Sequence, residues 1–430
     1  MSTTTNLGHD AQGEPEVAQG APSCSTARLW SGRSGSRRGR SIRWPGPLVR
    51  SALGVWLASR FVVALVALAA ARLATSSTVA QVPGFTELWH HWDADLFYKV
   101  ARYGYHSPAY SDKTDVDYPG LPLMIRAVHL VVADWTVAGL VVSALAGAVA
   151  SVALARLAAD EVGAGEVGAG EVGGDTALAA GRRAVIALVA FPYAVFLFAG
   201  YSEGLFLAFS VTAWLAARRQ RWWLAGLLAA GATGTRIIGL ALLAGLWVQW
   251  ATTRSGLRGG GWRAFARRSV LDTPALLLPV VPVVTFAAYL HSRTGHWDSY
   301  ARAMREGWGR EVSWPWVGLQ TTWRVANNLQ TSSTFHWFWV AELTAVGVGI
   351  VLAAVLLAAR RWGEAAYVGS ATVLMTASSY WASGVRAVLV WFPVYLLLAR
   401  HPRAQNVYLW AAAALMLVFV VAFTSGDWVD

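Results

Sequence analysis

The stretch WWLAGLLAAGATGTRIIGLALLAGLWVQW, from Trp222 to Trp250, decides how this chain folds. It exceeds the roughly 18 apolar residues that cross a membrane, but Thr235 and Arg236 interrupt it near the middle. Read as a single span, it would place the arginines of the following RSGLRGGGWRAFARR segment and of later turns outside, against the positive-inside rule. We therefore predict two short helices that meet near Thr235 and Arg236, which returns those arginines to the cytoplasm.

The composition is that of a polytopic membrane protein. Of the 430 residues, 56% are hydrophobic and 14% are charged, whereas a soluble domain carries about a quarter charged residues. The net charge of +11 comes almost wholly from arginines that cluster in short segments between apolar runs. Cytoplasmic loops have this pattern, so the charge does not favour nucleic-acid binding. The single cysteine, Cys24, excludes an intrachain disulfide framework.

The apolar runs predict an all-α fold, a polytopic transmembrane helical bundle with about 10–11 spans and extracytoplasmic loops that carry short interfacial helices. Residues 1–47 read as a disordered, basic, cytoplasmic tail, and residues 48–425 as one transmembrane domain. The predicted spans beside 222–250 are 54–74, 136–159, 184–200, 205–217, 271–289, 337–359, 365–383, 387–399 and 407–423.

Three connecting segments stand out. The loops at about 75–135 and 291–336 are predicted to be extracytoplasmic, and the apolar run of DYPGLPLMIRAVHLVV in the first is too short for a confident span. The repeat EVGAGEVGAGEVGGD lies in a segment, 160–182, that reads as a flexible cytoplasmic linker.

The predicted topology brings the unusual polar clusters to one side of the membrane. They are HWDAD, YSE at Tyr201 to Glu203, Thr235 with Arg236, the RAMREGWGREVSWPW loop, and SGVR ending at Arg386. Acids and arginines from distant parts of a chain that converge in this way are typical of a functional site.

The stretch WHHWDADLFYKVARYGYH, from Trp89 to His106, contains two aspartates that differ in their helical position. As a helix it has an apolar stripe, with Asp95 and Lys99 on the opposite side, where they are spaced for an i,i+4 ion pair. Asp93 falls at the margin of the apolar stripe and has no partner in the helix. A carboxylate held against aromatic rings is poorly hydrated, which increases its basicity and suits a general base.

Other interpretations of these residues remain open. Asp93 could cap a helix that begins at Ala94, as aspartate commonly does. An Asp-x-Asp triplet can also hold a divalent metal, but no further cluster of ligands supports this one, and no metal is predicted.

Arginines of the outer side could bind a lipid phosphate, because guanidinium groups match phosphate oxygens bidentately. The candidates are Arg236, Arg302, Arg305, Arg310 and Arg386. The alternatives are ion pairs with Glu306 and Glu311, or contacts with phospholipid headgroups.

Five ordered stretches resemble the PIG-V-type mannosyltransferases and their bacterial relatives. They are WDADLFYKVARYGY, DYPGLPLMIRAV, the segment from FPYAVFLFAGYSEG to TGTRIIGLAL, WGREVSWPW and SGVRAVLVWFPVYLLLA, and together they run from about residue 50 to residue 400. The resemblance implies a GT-C glycosyltransferase that uses a polyprenyl-phosphate sugar. It places the family's catalytic acid on Asp93, its YSE motif on Tyr201, Ser202 and Glu203, and its arginine on Arg236.

The sequence departs from the family at three places around the expected site. Ala94 stands where the family usually has Gly or Ser, DYPGLP replaces a fuller FFPLYP, and Ile237 stands where Pro is common. These changes leave the sugar and the acceptor less defined than the fold and the class of donor.

Together these patterns predict an inverting transfer of mannose, or another hexose, from a polyprenyl-phosphate sugar to a lipid-linked or protein acceptor at the outer face of the cell membrane. Asp93 is the predicted base and Glu203 the reserve acid–base candidate. The remaining predicted substrate-binding residues are Trp92, Asp95, Tyr201, Ser202, Arg236, Trp308, Arg310 and Arg386. No cofactor is expected beyond the lipid-phosphate donor, and no Gly-rich phosphate loop occurs.

Three alternatives remain. The donor could carry a pentose. A transporter of lipid or sugar would use ionisable groups within spans, of which Arg60 is an example, but paired halves are not evident. A binding protein without catalysis is the third, and replacement of Asp93 by Asn separates it from an enzyme.

Overall fold

A computed structural model describes residues 46–76, 83–108, 112–163, 170–255, 272–328, 333–427 and 429, so the predicted disordered tail lies outside the described residues except for its last two positions, Gly46 and Pro47. Within these ranges the chain forms helices joined by short turns, with no strand. The first eight helices are α1 (Pro47–Ser76), α2 (Asp93–Tyr103), α3 (Gly120–His129), α4 (Trp135–Gly163), α5 (Gly170–Val189), α6 (Ser202–Arg218), α7 (Trp222–Thr235) and α8 (Gly239–Ser255). The remaining helices are α9 (Asp272–Thr294), α10 (Ser299–Trp308), α11 (Pro315–Ala326), α12 (Ser333–Ala358), α13 (Trp362–Thr376), α14 (Gly384–Leu389), α15 (Pro393–Arg400) and α16 (Pro402–Thr424).

Five of the described helices are long and apolar enough to cross a membrane. Their apolar segments are Pro47–Leu73, Trp135–Gly163, Asp272–Thr294, His336–Ala358 and Pro402–Thr424. With the composition, these helices make the chain a polytopic all-α membrane protein, as the sequence predicted. Other predicted spans fall on shorter helices such as α6, α7 and α8.

The stretch from Trp222 to Trp250 forms two helices, as predicted. Helix α7 ends at Thr235, Arg236 is extended with φ −153° and ψ 139°, and α8 begins at Gly239. The 14 residues of α7 and the 17 of α8 have no distinct polar face, which is typical of helices surrounded by other helices or lipid. At this break the Arg236 side chain points toward the start of α6, where it contacts Ser202.

Three sequence boundaries were wrong. The span predicted at 184–200 belongs to α5, which ends at Val189, because Pro192 disfavours helical geometry in the residue before it. The span predicted at 387–399 is split into α14 and α15 before Pro393. Much of the segment predicted as a linker, 160–182, is helical, since α4 continues to Gly163 and α5 begins at Gly170.

The two predicted extracytoplasmic loops carry short helices. The first contains α2 and α3, and the second contains α10 and α11. Helix α3 has ten residues and is about 15 Å long, which is half the thickness of a bilayer core and cannot span it.

The core is built along α4 and α6. Helix α4 packs on α5 and α6, α6 packs on α7, and α8 packs on α13. Large side chains that are fully buried fill this core, among them Trp56, Trp89, Trp214 and Trp391. Because α6 and α7 run antiparallel, the start of α6 lies beside the end of α7, and this is where the polar side chains meet.

Candidate functional site

Asp93 is the first residue of α2. Trp92 precedes it with φ 55°, a backbone conformation that is unusual for a residue with a side chain. No side chain caps α2, so the alternative in which Asp93 caps a helix that begins at Ala94 does not hold. Phe97, Tyr98 and Ala101 bury the inner face of the helix and fix its position.

Four elements that are distant in sequence bring Asp93, Glu203, Arg236 and Arg386 together. Arg386 in α14 donates from Nη1 to Asp93 Oδ2 at 2.7 Å and from Nε to Glu203 Oε1 at 2.8 Å. Arg236 donates to the same Glu203 oxygen and to Ser202 Oγ at 2.9 Å. The convergence predicted from the sequence is therefore present for these residues.

Burial differs sharply among the charged groups of this cluster. The Glu203 side chain is 0% exposed and that of Arg386 is 4% exposed, whereas Asp93 keeps 18% of its side chain exposed. The Arg386 guanidinium also lies 4.8 Å from the ring centre of Tyr201 and 4.9 Å from that of Phe196. Asp93 is thus the acid of this group that a substrate can reach, and Glu203 holds the two arginines in position.

The expectation that Asp93 has no partner within its own helix is confirmed, and its partner comes from elsewhere in the fold. Its own helix supplies none, as the helical wheel indicated, but Arg386 approaches from about 290 positions later in the sequence. Periodicity within a helix carries no information on such a contact.

Asp95 faces away from Asp93. It pairs with Lys99 one turn later, as predicted, and also with His90 Nε2 at 2.9 Å, while His90 Nδ1 lies 3.1 Å from Thr136 Oγ1. The hydrogen bond from His90 lowers the pKa of Asp95, and Lys99 lowers it further. The two aspartates of the Asp-x-Asp triplet therefore have separate partners.

A cleft of about 660 Å³ opens on the Asp95 side of α2. Charged side chains of both signs line it, including Asp95, Lys99 and Arg102, together with the rings of Tyr103 and Trp135. Pockets that bind small molecules have volumes in this range and combine apolar walls with a few polar groups.

The loop between α9 and α12 forms another part of this end of the molecule. Arg310 donates from Nε to Ser378 Oγ at 3.2 Å, and the Tyr380 hydroxyl donates to the carbonyl of Trp308. The charge of Arg310 acts on Tyr300, as do those of Asp117 and Arg236. Trp308 and Arg310 therefore stand near the Arg236 cluster without an ion pair that joins them to Asp93.

Arg302 and Arg305 form ion pairs with nearby carboxylates, which was the alternative to phosphate binding. Arg302 lies 3.6 Å from Glu306, which the sequence analysis proposed as a partner, and Arg305 lies 3.8 Å from Asp298. These side chains are well exposed, and exposed pairs at such distances contribute little to stability.

Sequence reasoning missed Asp117. Its carboxyl group experiences the charges of Asp93, Arg386 and Arg236, so it belongs to the same end of the bundle. The available signal was an acid immediately before Tyr118-Pro119-Gly120, at the entrance of an apolar run.

Arg60, the residue that most favoured a transporter, has local partners. Its Nη1 donates to the carbonyl of Ala194 at 3.1 Å, and its guanidinium lies 4.4 Å from the ring centre of Trp56. These contacts attach the turn before Tyr201 to α1, and they give Arg60 a structural role within the bundle.

Part of the chain matches a known protein family. Residues 60–253 match the mannosyltransferase (PIG-V) family. The match runs from α1 to α8 and contains Asp93, Glu203 and Arg236, whereas Arg386 lies beyond it and joins the cluster through the fold. This mannosyltransferase match supports a glycosyltransferase that acts on a sugar donor and an acceptor in the membrane. No curated protein sequence matches the chain.

Proposed function

We propose that the protein transfers mannose from a polyprenyl-phosphate donor to a hydroxyl group of a lipid-linked or protein acceptor, with inversion at the anomeric carbon. The acceptor oxygen attacks the anomeric carbon and forms the new glycosidic bond. The bond from that carbon to the phosphate oxygen breaks, and its electron pair leaves with the polyprenyl phosphate. The acceptor proton passes to Asp93, which later releases it to water.

The observation that carries this proposal is the Arg386 guanidinium that joins Asp93 to Glu203. Arg386 holds an accessible carboxylate at the start of α2, and the buried Glu203 fixes both Arg386 and Arg236. A fixed carboxylate beside cationic groups provides a proton acceptor and stabilises the negative charge that develops on the leaving phosphate. Glu203 acts in this scheme as a positioning residue.

The donor would approach from the side of Arg236 and Arg310. Arg310 makes one hydrogen bond to Ser378 and lies 5.7 Å from the ring centre of Tyr380, so donors of its guanidinium remain for phosphate oxygens. Trp308, at the end of α10, would contact the sugar or the first isoprene units.

The polar part of the acceptor would occupy the cleft beside Asp95. Aromatic faces such as those of Tyr103 and Trp135 suit the apolar faces of a sugar ring, while Asp95 and Lys99 provide hydrogen-bonding groups of both signs. Because α2 separates this cleft from the arginine cluster, the cleft would hold a part of the acceptor distant from the reaction, and the reacting hydroxyl would extend past the start of α2 to Asp93.

The proposed location is the cell membrane, with the N-terminus in the cytoplasm and the site at the outer face. The positive-inside distribution of arginines supports this orientation. The donor brings its own activated sugar, so the proposed reaction requires neither a nucleotide nor a bound metal. We propose that the protein is a bacterial member of the family, which is compatible with a polyprenyl carrier.

The test is a transfer assay in membranes that contain the protein, with labelled polyprenyl-phosphate mannose and, in parallel, a labelled polyprenyl-phosphate pentose. We expect sugar transfer from the mannose donor, and a loss of about 10²–10⁴-fold in kcat when Asp93 is replaced by Asn, because general-base catalysis contributes rates of this order.

The control is Glu306→Gln, which removes an exposed carboxylate of the second loop and should leave kcat unchanged. Full activity of Asp93→Asn would contradict the assignment of the base. If only the pentose donor supported transfer, the donor sugar would be a pentose and the proposal of mannose would be wrong.

A further inference from the structure

The turn that carries Asp117 is held rigidly at the site end of the bundle. The Asp117 backbone N–H donates to the Thr114 carbonyl at 2.9 Å, and the Tyr105 hydroxyl donates to the Asp117 carbonyl at 2.5 Å. Tyr118 packs on Phe286, with ring centres 5.0 Å apart, in a small aromatic cluster between α2 and α9. The main chain at Asp117 is therefore fixed on both sides.

The same turn is fitted against the end of α7. A Cβ atom on Gly120 would lie 2.6 Å from the carbonyl oxygen of Gly234, which is closer than real Cβ atoms approach. Gly234 is two residues before Arg236, and Gly120 is three residues after Asp117. This close contact brings the Asp117 turn to the break between α7 and α8.

The Asp117 side chain has no use in the arrangement described above. Its Oδ2 oxygen is buried and has no hydrogen-bond partner among the described residues. Burial raises the pKa of the Asp117 carboxyl well above its usual range, and the charge of Asp93 raises it further, although Arg386 and Arg236 lower it. This direction of the pKa favours the protonated form of the Asp117 carboxyl, and a protonated carboxyl is a hydrogen-bond donor.

The charges around it agree with a neutral form. The carboxyl groups of Asp93 and Glu203 pair with the guanidinium groups of Arg236 and Arg386, and the Asp117 carboxyl lies close enough to feel the charges of both arginines and of Asp93. The titratable and charged groups that face Asp117 are Asp93 on α2, Asp115 in its own loop, Arg236 between α7 and α8, Tyr300 on α10 and Arg386 on α14.

We propose that Asp117 is a further catalytic residue, a carboxylic acid that donates a hydrogen bond to a phosphate oxygen of the lipid-phosphate donor. The buried donor group then gains the acceptor that the protein does not provide. An ionised carboxylate at this position would repel the phosphate, whereas the neutral acid stabilises it, and more strongly as negative charge grows on the leaving group. The proton stays on Asp117 throughout. The proposal rests on the proposed function.

Two variants of similar volume separate the roles of charge and hydrogen bonding. Asp117→Asn keeps a neutral donor, and Asp117→Leu removes it. We expect Asn to retain kcat within about threefold and Leu to lose about 10²-fold, the usual effect of removing one donor to a developing oxyanion. In the wild type, activity should fall on the alkaline side as Asp117 ionises, and this alkaline limb should disappear in Asp117→Asn.

The outcome for Asp117 differs in kind from that for Asp93, where replacement by Asn removes the base. An Asp117→Asn protein that is folded but as inactive as Asp117→Leu would overturn the proposal. So would an unchanged alkaline limb in Asp117→Asn, or full activity of Asp117→Leu. If Asp93→Asn loses activity while any of these results holds, only the Asp117 proposal fails.

A second measurement does not depend on sugar transfer. Addition of a short-chain polyprenyl phosphate to purified protein should raise the unfolding temperature of the wild type and of Asp117→Asn, and should raise that of Asp117→Leu less. Equal shifts in all three proteins would contradict a phosphate contact at Asp117 even if the donor of the enzyme were another lipid-linked sugar.

Discussion

The two ends of the bundle bury similar ion clusters, yet only one of them resembles a reactive site. At one end Glu203 pairs with Arg236 and Arg386. Helix α6 begins there and ends about 22 Å away, at 1.5 Å per residue, with Arg218. Beside Arg218 lies a second cluster around Glu161, a glutamate whose side chain is 1% exposed.

The second cluster has cations in excess. Glu161 is 2.8 Å from Arg361, 3.0 Å from Arg400 and 3.7 Å from Arg218, and Arg361 is also 2.6 Å from Glu364. Three guanidinium groups thus meet two carboxylates, whereas at the site end two guanidinium groups pair with two carboxylates and the carboxyl of Asp117 lies near them.

The difference distinguishes an ion cluster that only joins helices from the cluster of the candidate site. In the Glu161 cluster each acid is paired, so the cluster joins α4, α13 and α15. At the site end Asp93 remains partly exposed, and Asp117 forms no ion pair among the described residues. A carboxyl group without a cationic partner is stabilised when it carries a proton or contacts a ligand. The proposed sugar transfer needs a group that exchanges a proton and a group that contacts the donor.

The largest expected effect comes from breaking each cluster through its central arginine. Arg386→Gln and Arg361→Gln should each destabilise the protein, by at most about 3–5 kcal/mol, because a buried glutamate loses one of its cationic partners and keeps the others. Thermal unfolding in detergent measures this change. Arg386→Gln should also abolish sugar transfer by the folded fraction, whereas Arg361→Gln should leave its kcat unchanged. Equal loss of kcat in both would remove the distinction between the two ends.

A smaller effect is expected from adding a methyl group at each end. Gly120→Ala places a Cβ against the Gly234 carbonyl, so the Asp117 turn must move and kcat should fall about tenfold, as small displacements of catalytic groups can cost still more. Gly163→Ala is the control, because nothing lies within 4 Å of a Cβ there and alanine favours helix. An unchanged kcat in Gly120→Ala would show that the position of the Asp117 turn does not affect the reaction.

The smallest effect is expected at the exposed arginines of α10. Arg302→Gln should change the free energy of unfolding by less than about 0.5 kcal/mol, since its pair with Glu306 is long and exposed. Its KM for the lipid-phosphate donor should stay within about twofold of the wild type, in contrast to Arg310→Gln, whose KM should rise. A large rise for Arg302→Gln would extend the donor site along α10.

Local patterns allowed part of this to be predicted from sequence. The interruption at Thr235 and Arg236 gave the break between α7 and α8, and helical spacing separated Asp93 from Asp95 and paired Asp95 with Lys99. Both inferences depend on residues within one or two turns of each other. The family resemblance then identified Asp93 and Glu203, whose pairing with one arginine the structure shows.

What sequence could not provide are contacts across the fold. Arg386 meets Asp93 only because α14 is placed beside α2, and no spacing encodes that approach. Glu161 was assigned to a linker because the glycine repeat obscured the continuation of α4 to Gly163. Asp117 looked like an ordinary turn residue, since its burial depends on Tyr105, Tyr118 and α9.

The indole of Trp92 ties the segment after α16 to the start of α2, where Asp93 lies. The Trp92 indole N–H donates to the Asp427 carbonyl at 3.2 Å, just after α16. Alterations of the segment after Thr424, including fusion partners attached there, would loosen the loop that presents Asp93, although that segment holds none of the reacting groups. Purified enzyme with a carboxy-terminal extension should therefore be compared with a version extended at the opposite terminus before any low turnover is ascribed to the sugar donor.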